Sequence, residues 1–205
     1  MTDAPLSFEE ASQRFLPAGL ADADLRAMYE DLVRLDQGLR SYYAREIYDF
    51  PLQGDTFDGA PFPFVEQAAF ELRHTRVMLL TNTCDASAEN ARTSPVRVTI
   101  APLVRIQRWR EVSLSEGVSA TGFESKLKAL KAHKVSTALY LPAGAGLESE
   151  SVVFFDRIQS MPIVTFDAAS PRRLATLSNQ AFWLLTIKLT IHFSRLQEGV
   201  SRQAA

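Results

Sequence analysis

Cysteine is nearly absent from this 205-residue chain: Cys84 stands alone, which excludes an internal disulfide and any zinc centre built on cysteine pairs. Histidine is scarce as well. His74, His133 and His192 lie far apart in sequence, so they give none of the close ligand spacings of a structural metal site, and no metal is expected. The chain has no Gly-Lys-Ser/Thr phosphate loop and no dinucleotide fingerprint, so no cofactor is expected either. Long apolar runs are missing too. The stretches near Val77 to Leu80 and Phe182 to Phe193 are too short or too interrupted to span a bilayer, and Met1 to Pro5 lacks the positive-then-apolar pattern of a secretory signal. The expectation is a cytoplasmic protein that makes no use of a membrane.

What is present is an ordinary globular composition, 46% apolar and 22% charged, with 13 Phe to build an aromatic core. The net charge of −2 conceals an asymmetry. From Arg92 to Lys134 there are nine Lys or Arg against three Glu, a local charge of +6, so the remainder carries −8. Two readings stand for such a segment: a surface that attracts an anionic partner, or a solvated face with scattered cations.

Periodicity divides the chain into a helical extension, residues 1–48, and a β-rich domain, residues 49–205. Ser7 and Glu10 have capping-box spacing for a short helix that stops before Pro17. From about Asp24, Leu25, Met28, Tyr29, Leu32, Leu35, Leu39 and Tyr42 form the apolar stripe of a longer one. Turn residues dominate between Pro51 and Pro63. Val77 to Leu80 then reads as a strand covered on both faces, and Val98 and Ile100 alternate with Arg97 and Thr99 in a half-buried one. A basic helix is expected at about 125–134, with further strands at Val135 to Leu141, Val152 to Phe155 and Met161 to Phe166. Ser178 should cap a closing amphipathic helix bearing Phe182, Leu185 and Leu189 on one stripe and Trp183, Ile187 and Ile191 on the next. Short strands at close intervals without helices between them favour a curled sheet or barrel over a doubly wound sheet.

The order of these segments resembles a known family. Gln53-Gly54-Asp55-Thr56-Phe57 resembles the turn that opens the first strand of MazF/PemK-type toxins, Val77 to Leu80 their central strand, and Val98 to Leu103 the strand after it. Ser151 to Ser160, with Asp156-Arg157-Ile158 inside, resembles their late Asp-Gln-Ile-like strand, and Leu177-Ser178 precedes the last helix. The likeness covers about Tyr48 to Phe193. It implies an α+β fold, a small SH3-like bent β-barrel with N-terminal helices and a C-terminal amphipathic helix. It also implies a toxin-like or defence-associated bacterial protein that contacts RNA, a metal-independent endoribonuclease chemistry, and a homodimer. The partner so implied is an antitoxin or a subunit of a defence complex. Those toxins use an Arg at the start of the central strand and a Ser or Thr at the end of the next; here Thr75 and Val104 take these places, with His74 and Arg76 beside the first. A non-catalytic interaction module is the competing reading.

RNA cleavage without a metal needs a base, an acid and a cation for the phosphorane. His74 and Arg76 supply two of these, with Asp85 or Asp55 to orient the imidazole; both could equally cap an exposed strand start. Cys84 reads either as a nucleophile with His74 as base or as a small buried cysteine at a strand end, and the neighbouring Asp85 favours the second. For RNA contact, Arg105, Arg108 and Arg110 with Trp109 as a stacking platform form a candidate surface, extended by Lys128 and Lys131. The alternative there is an exposed, charged strand edge with a half-buried Trp.

Overall fold

The structure, a computed structural model, describes residues 41–46, 48–66, 69–86 and 95–194. By contacts the chain divides into residues 1–38 and 39–205. The two helices expected before residue 40, and Arg92, lie outside the described residues. Tyr42 does not continue a helix: Tyr43 forms an antiparallel bridge with Leu177, and the Ala44 N–H donates to Thr176 O at 2.9 Å.

In chain order the elements are β1 (Thr56–Glu66), β2 (Ala69–Leu79), α1 (Thr83–Ala86), β3 (Arg97–Arg105), α2 (Ile106–Ser115) and α3 (Ala120–Lys131). They continue with β4 (Ala138–Leu141), β5 (Ser151–Phe154), β6 (Gln159–Pro162), α4 (Ile163–Ala168), β7 (Arg172–Ala175) and α5 (Asn179–Phe193). The fold is α+β. Its seven strands run β4-β5-β3-β2-β1-β7, with β6 also on β3, and every pairing is antiparallel.

β3 organises this sheet because its two halves serve different partners. Arg97 to Ile100 pair with β6, Ile100 to Pro102 pair with β2, and Leu103 to Arg105 leave β2 to pair with β5. The strands β2 and β3 therefore fork beyond Val77 and Pro102. One apolar cluster, Phe57, Phe62, Val77, Leu79, Val98, Ile100, Met161 and Phe166, fills the side covered by α4. A second, built on Ile106, Phe123, Leu130, Tyr140 and Val152, lies under α2 and α3. Phe123 and Leu130 are wholly buried, and each such side chain contributes about 1.5–3 kcal/mol.

Three expectations need correction. Met161 to Phe166 is not one strand: β6 ends at Pro162, and Ile163–Ala168 turn into α4, which places Phe166 edge-on against Phe57 at 5.3 Å. Arg105 to Arg110 are not a strand edge, since α2 begins at Ile106, whose burial draws the chain under the sheet. The basic helix runs from Ala120 to Lys131, earlier than expected, because the Ser119 hydroxyl caps it by accepting from the Gly122 N–H at 3.1 Å. Ser178 caps α5 as expected, accepting from the Ala181 N–H at 3.3 Å.

The loop after β4 reaches back to β7: the Gly146 N–H donates to Leu174 O at 2.9 Å. A Cβ at Gly146 would stand 2.4 Å from that carbonyl oxygen, so only glycine allows this approach. No helix among the described residues is long and apolar enough to cross a membrane.

Candidate functional site

Strand alternation places His74 and Arg76 on one face of β2, and their surroundings differ. His74 is exposed and opposes Pro61 of β1. Arg76 sits deeper, its side chain only 15% exposed, at the point where β2 and β3 fork.

The register of β1 explains what Arg76 meets. Phe57 pairs with Val77 and Ala60 with Thr75, so Asp58 and Gly59 together oppose Arg76 in a β-bulge. Gly59 takes φ +80°, a conformation that favours glycine. The bulge sets Asp58 Oδ2 3.7 Å from Arg76 Nε and 3.7 Å from Arg172 Nη2 of β7. On the other flank Glu148 Oε2 stands 3.8 Å from both Arg76 Nη2 and Arg105 Nη2. Four elements of sequence thus meet: β1, β2, β7 and the β4–β5 loop, with Arg105 at the end of β3.

None of these four contacts reaches hydrogen-bonding length, which for N–H to oxygen is about 2.7–3.2 Å. Arg76 Nη1 is buried and has no hydrogen-bond acceptor. A guanidinium carries five donors in a planar fork, and one left unpaired out of water costs about 1–3 kcal/mol. Arg105 and Arg172 remain largely exposed beside it. The arrangement is three cations with two carboxylates held loosely between them.

The other expected orienting acids lie elsewhere. Asp85, on α1 past the end of β2, lines a cavity with Thr81, Asn82 and Arg97; the carboxylates at Arg76 are Asp58 and Glu148. Asp55 is wholly buried, and its Oδ2 accepts from the Leu52 N–H at 2.9 Å and faces Arg173 Nε at 3.1 Å. Burial pushes its carboxyl up, while the Leu52 amide, Thr176 and Arg173 pull it down. That pair fastens the opening turn to β7, so the Gly-Asp turn is structural here.

The Thr81-Asn82-Thr83 stretch is also committed locally. Thr81 Oγ1 accepts from the Thr99 N–H, Asn82 Oδ1 from the Cys84 N–H and Thr83 Oγ1 from the Gln53 N–H. Cys84 is exposed, against the buried position expected, because α1 turns only Ala86 inward. Val104 is half-buried against the α2–α3 core.

Three residues of the expected nucleic-acid surface sit in exposed local ion pairs. Arg108 pairs with Glu111 at 3.3 Å, Arg110 with Glu124 at 3.7 Å and Lys131 with Glu150 at 2.7 Å; Lys128 is exposed on α3. Trp109 packs edge-on against Phe123 at 4.8 Å and Phe154 at 5.8 Å. Its half-buried ring packs against the α2–α3 core. Of this set, only Arg105 joins the cluster around Arg76.

Asp58, Glu148 and Arg172 were not candidates in the sequence. The Asp58-Gly59 pair is the one signal that could have marked Asp58, since Asp-Gly often carries a bulge or turn; nothing marks Glu148, which reaches the cluster from a loop. Comparison of the chain with protein-family models finds no match, and comparison with curated protein sequences finds none at the level that would count.

Proposed function

We propose that this chain contacts RNA through the phosphate backbone, with Arg76 as the buried cation and Arg105 and Arg172 as its exposed flanks. The observation that carries this reading is the unpaired Nη1 of Arg76 beside two carboxylates that stand off at 3.7–3.8 Å. A phosphodiester offers oxygens that bind a guanidinium in a bidentate way, and neighbouring cations share its charge. The SH3-like barrel of the MazF/PemK-type toxins is the fold proposed for this sheet. Two features support it: β3 is shared between two ladders, and the β4–β5 loop returns to β7 through Gly146. A toxin-like or defence-associated role, with an antitoxin-like partner, belongs to the same proposal, as does a homodimer in which α5 covers its exposed Ile191.

Fluorescence anisotropy with a short labelled oligoribonucleotide over a salt series tests RNA contact. Replacing Arg76, Arg105 and Arg172 with Gln should weaken binding and flatten the logarithmic salt slope by about 2, as expected for three lost contacts to a single strand. An unchanged affinity and slope would remove the cluster from the interface. Cleavage is tested separately: RNA cut in EDTA by the wild type and not by His74→Ala supports the endoribonuclease, and equal cutting by both discards His74.

A second reading, a non-catalytic interaction module, is favoured by the outer part of β2. Phe70 and Leu72 are 69% and 52% exposed on the His74 face of the β1–β2 ribbon. If Phe70→Ser with Leu72→Ser abolishes a cellular phenotype while RNA affinity is retained, this reading replaces the first.

A further inference from the structure

We infer that the cavity at the end of β2 is a binding site for a single unstacked nucleobase, with guanine preferred. This deepens the RNA-contacting reading and rests on it. The cavity has a volume of about 290 Å³, near the lower end of ligand pockets and sufficient for one heterocycle.

Its lining divides by chemistry. Ile158, Leu189 and Phe193 give an apolar wall, and Phe193, at the end of α5, is 71% exposed. A flat aromatic side chain left in water at a cavity rim is the kind of surface on which an extruded base stacks, and such stacking tolerates any base. Selection must come from the polar wall, formed by Asn82, Asp85 and Arg97.

Arg97 is held in place by its own strand neighbour: Nε donates to Ser160 Oγ at 3.2 Å and Nη2 to Ser160 O at 2.9 Å. Those bonds fix the plane of the guanidinium, and among the described residues no hydrogen bond is made by Nη1. Asp85 is engaged within the protein as well, but a carboxylate has about four lone-pair positions and accepts several donors at once. An acid and an arginine on one wall match a base that carries both two adjacent donors and a strong acceptor edge. Guanine alone among the RNA bases does so: its N1–H and N2–H₂ groups face a carboxylate, while O6 and N7 accept from arginine. Adenine and cytosine each present a single amino group, and uracil a single imide N–H between carbonyls. A phosphate does not explain Asp85, which repels it, whereas a ribose hydroxyl also donates to a carboxylate; since all four nucleotides share that ribose, only a contact to the base produces a preference among them.

The cavity adjoins the end of the strand that carries Arg76. Leu80, in the cavity lining, follows Arg76 by four residues, about 13 Å of extended chain, so one RNA strand passing both is geometrically reasonable.

The test is a titration of the isotopically labelled full chain with GMP, AMP, CMP and UMP, read by amide shifts of Leu80, Thr81 and Thr99 at the cavity and of Arg76 and Arg105 at the cluster. GMP should shift the cavity amides with an affinity at least tenfold above the other three nucleotides. Asp85→Asn should bring GMP within twofold of AMP, and Phe193→Ala, which alters an exposed helix end and leaves the core alone, should weaken all four nucleotides at least fivefold. The triple Arg→Gln chain should keep the GMP preference while losing affinity for the oligoribonucleotide, so failure of the base site and failure of phosphate contact are read separately. Cavity amides that do not respond to GMP, a guanine preference that survives Asp85→Asn, or a cavity that takes free leucine in place of GMP would each overturn the inference.

Discussion

Arg76 Nε and Asp58 Oδ2 face each other 3.7 Å apart across a bulge that sets two residues of β1 against one of β2. The same carboxylate oxygen lies 3.7 Å from Arg172 Nη2. One acid thus stands between two arginines from strands on either side of β1 and bonds closely to neither. Its position resembles that of a bound anion, and the bulge, through Gly59, is what holds it there.

Asp58 therefore competes with any phosphate that enters. Asp58→Asn removes that negative charge while preserving shape, so RNA affinity should rise about threefold to tenfold at low salt, and the gain should shrink as salt screens the cluster. Anisotropy at two salt concentrations measures it. A loss of affinity in Asp58→Asn would mean that the carboxylate positions Arg76 for binding, and that the competition argument is wrong.

Trp109 separates packing from recognition. Its contacts with Phe123 and Phe154 pack the half-buried ring against the α2–α3 core, so Trp109→Ala should destabilise the fold by about 2 kcal/mol. Trp109→Leu keeps an apolar side chain there and removes the aromatic face, and should leave RNA affinity, measured well below its melting temperature, within twofold of wild type. If Trp109→Leu instead lowers affinity severalfold while folded, the ring is a stacking platform after all.

How far these features were legible in the sequence depends on the range of the interactions behind them. Ser178 and the alternation of Val98 and Ile100 with Arg97 and Thr99 act within a few residues, and both were readable. Ile163-Val164-Thr165-Phe166 has β-branched, strand-like composition, yet it forms α4 because Phe166 must reach Phe57; tertiary packing overrides propensity there. β7 was missed, since Arg172-Arg173-Leu174-Ala175 is short, polar at its start and defined by its pairing with β1. The site followed the same rule. Arg76 was marked by its place beside the arginine position of the family the chain resembles, whereas its partners Asp58 and Glu148 are set by a bulge and a loop contact that leave almost no trace in composition.

Gly146 and Gly59 offer a paired test of why each glycine is needed. Gly146→Ala drives a Cβ into Leu174 O and breaks the bond between the β4–β5 loop and β7; the expected cost is about 2–3 kcal/mol, or roughly 5–10 °C in melting temperature for a chain of this size. Gly59→Ala meets nothing within 4 Å, and its cost is confined to the positive φ, about 1 kcal/mol. Thermal unfolding of the two variants should rank them in that order. The reverse order would show that the Gly146 contact contributes little to holding the loop, and with it Glu148, in place.

Lys188 is a second buried cation of the fold. It is 3% exposed on α5, its ammonium donates to Val135 O, and none of the ion pairs of the described residues supplies it with a carboxylate. Burial pushes its pKa down to about 8. The facing groups do not help: His133, itself pulled down to about 4 by burial and by Lys188, accepts or donates at Nε2 to the Tyr42 hydroxyl at 3.0 Å. The sign of the pH dependence follows from proton counting. Between about pH 8 and the unfolded lysine value near 10.4, the unfolded chain binds the extra proton, so this group's contribution to stability rises with pH. For His133 the window is from about 4 to the unfolded value near 6.5, and stability falls as pH drops through it. Lys188→Met removes the buried charge and leaves Val135 O with one donor fewer, so the net gain at pH 7 should be about 1–2 kcal/mol. Urea unfolding at pH 7 and pH 9.5 measures both effects: the wild type should gain stability between the two relative to Lys188→Met, and the variant should be the more stable at pH 7. A variant that is less stable at pH 7 would show that the ammonium's bond to Val135 outweighs the cost of burying the charge.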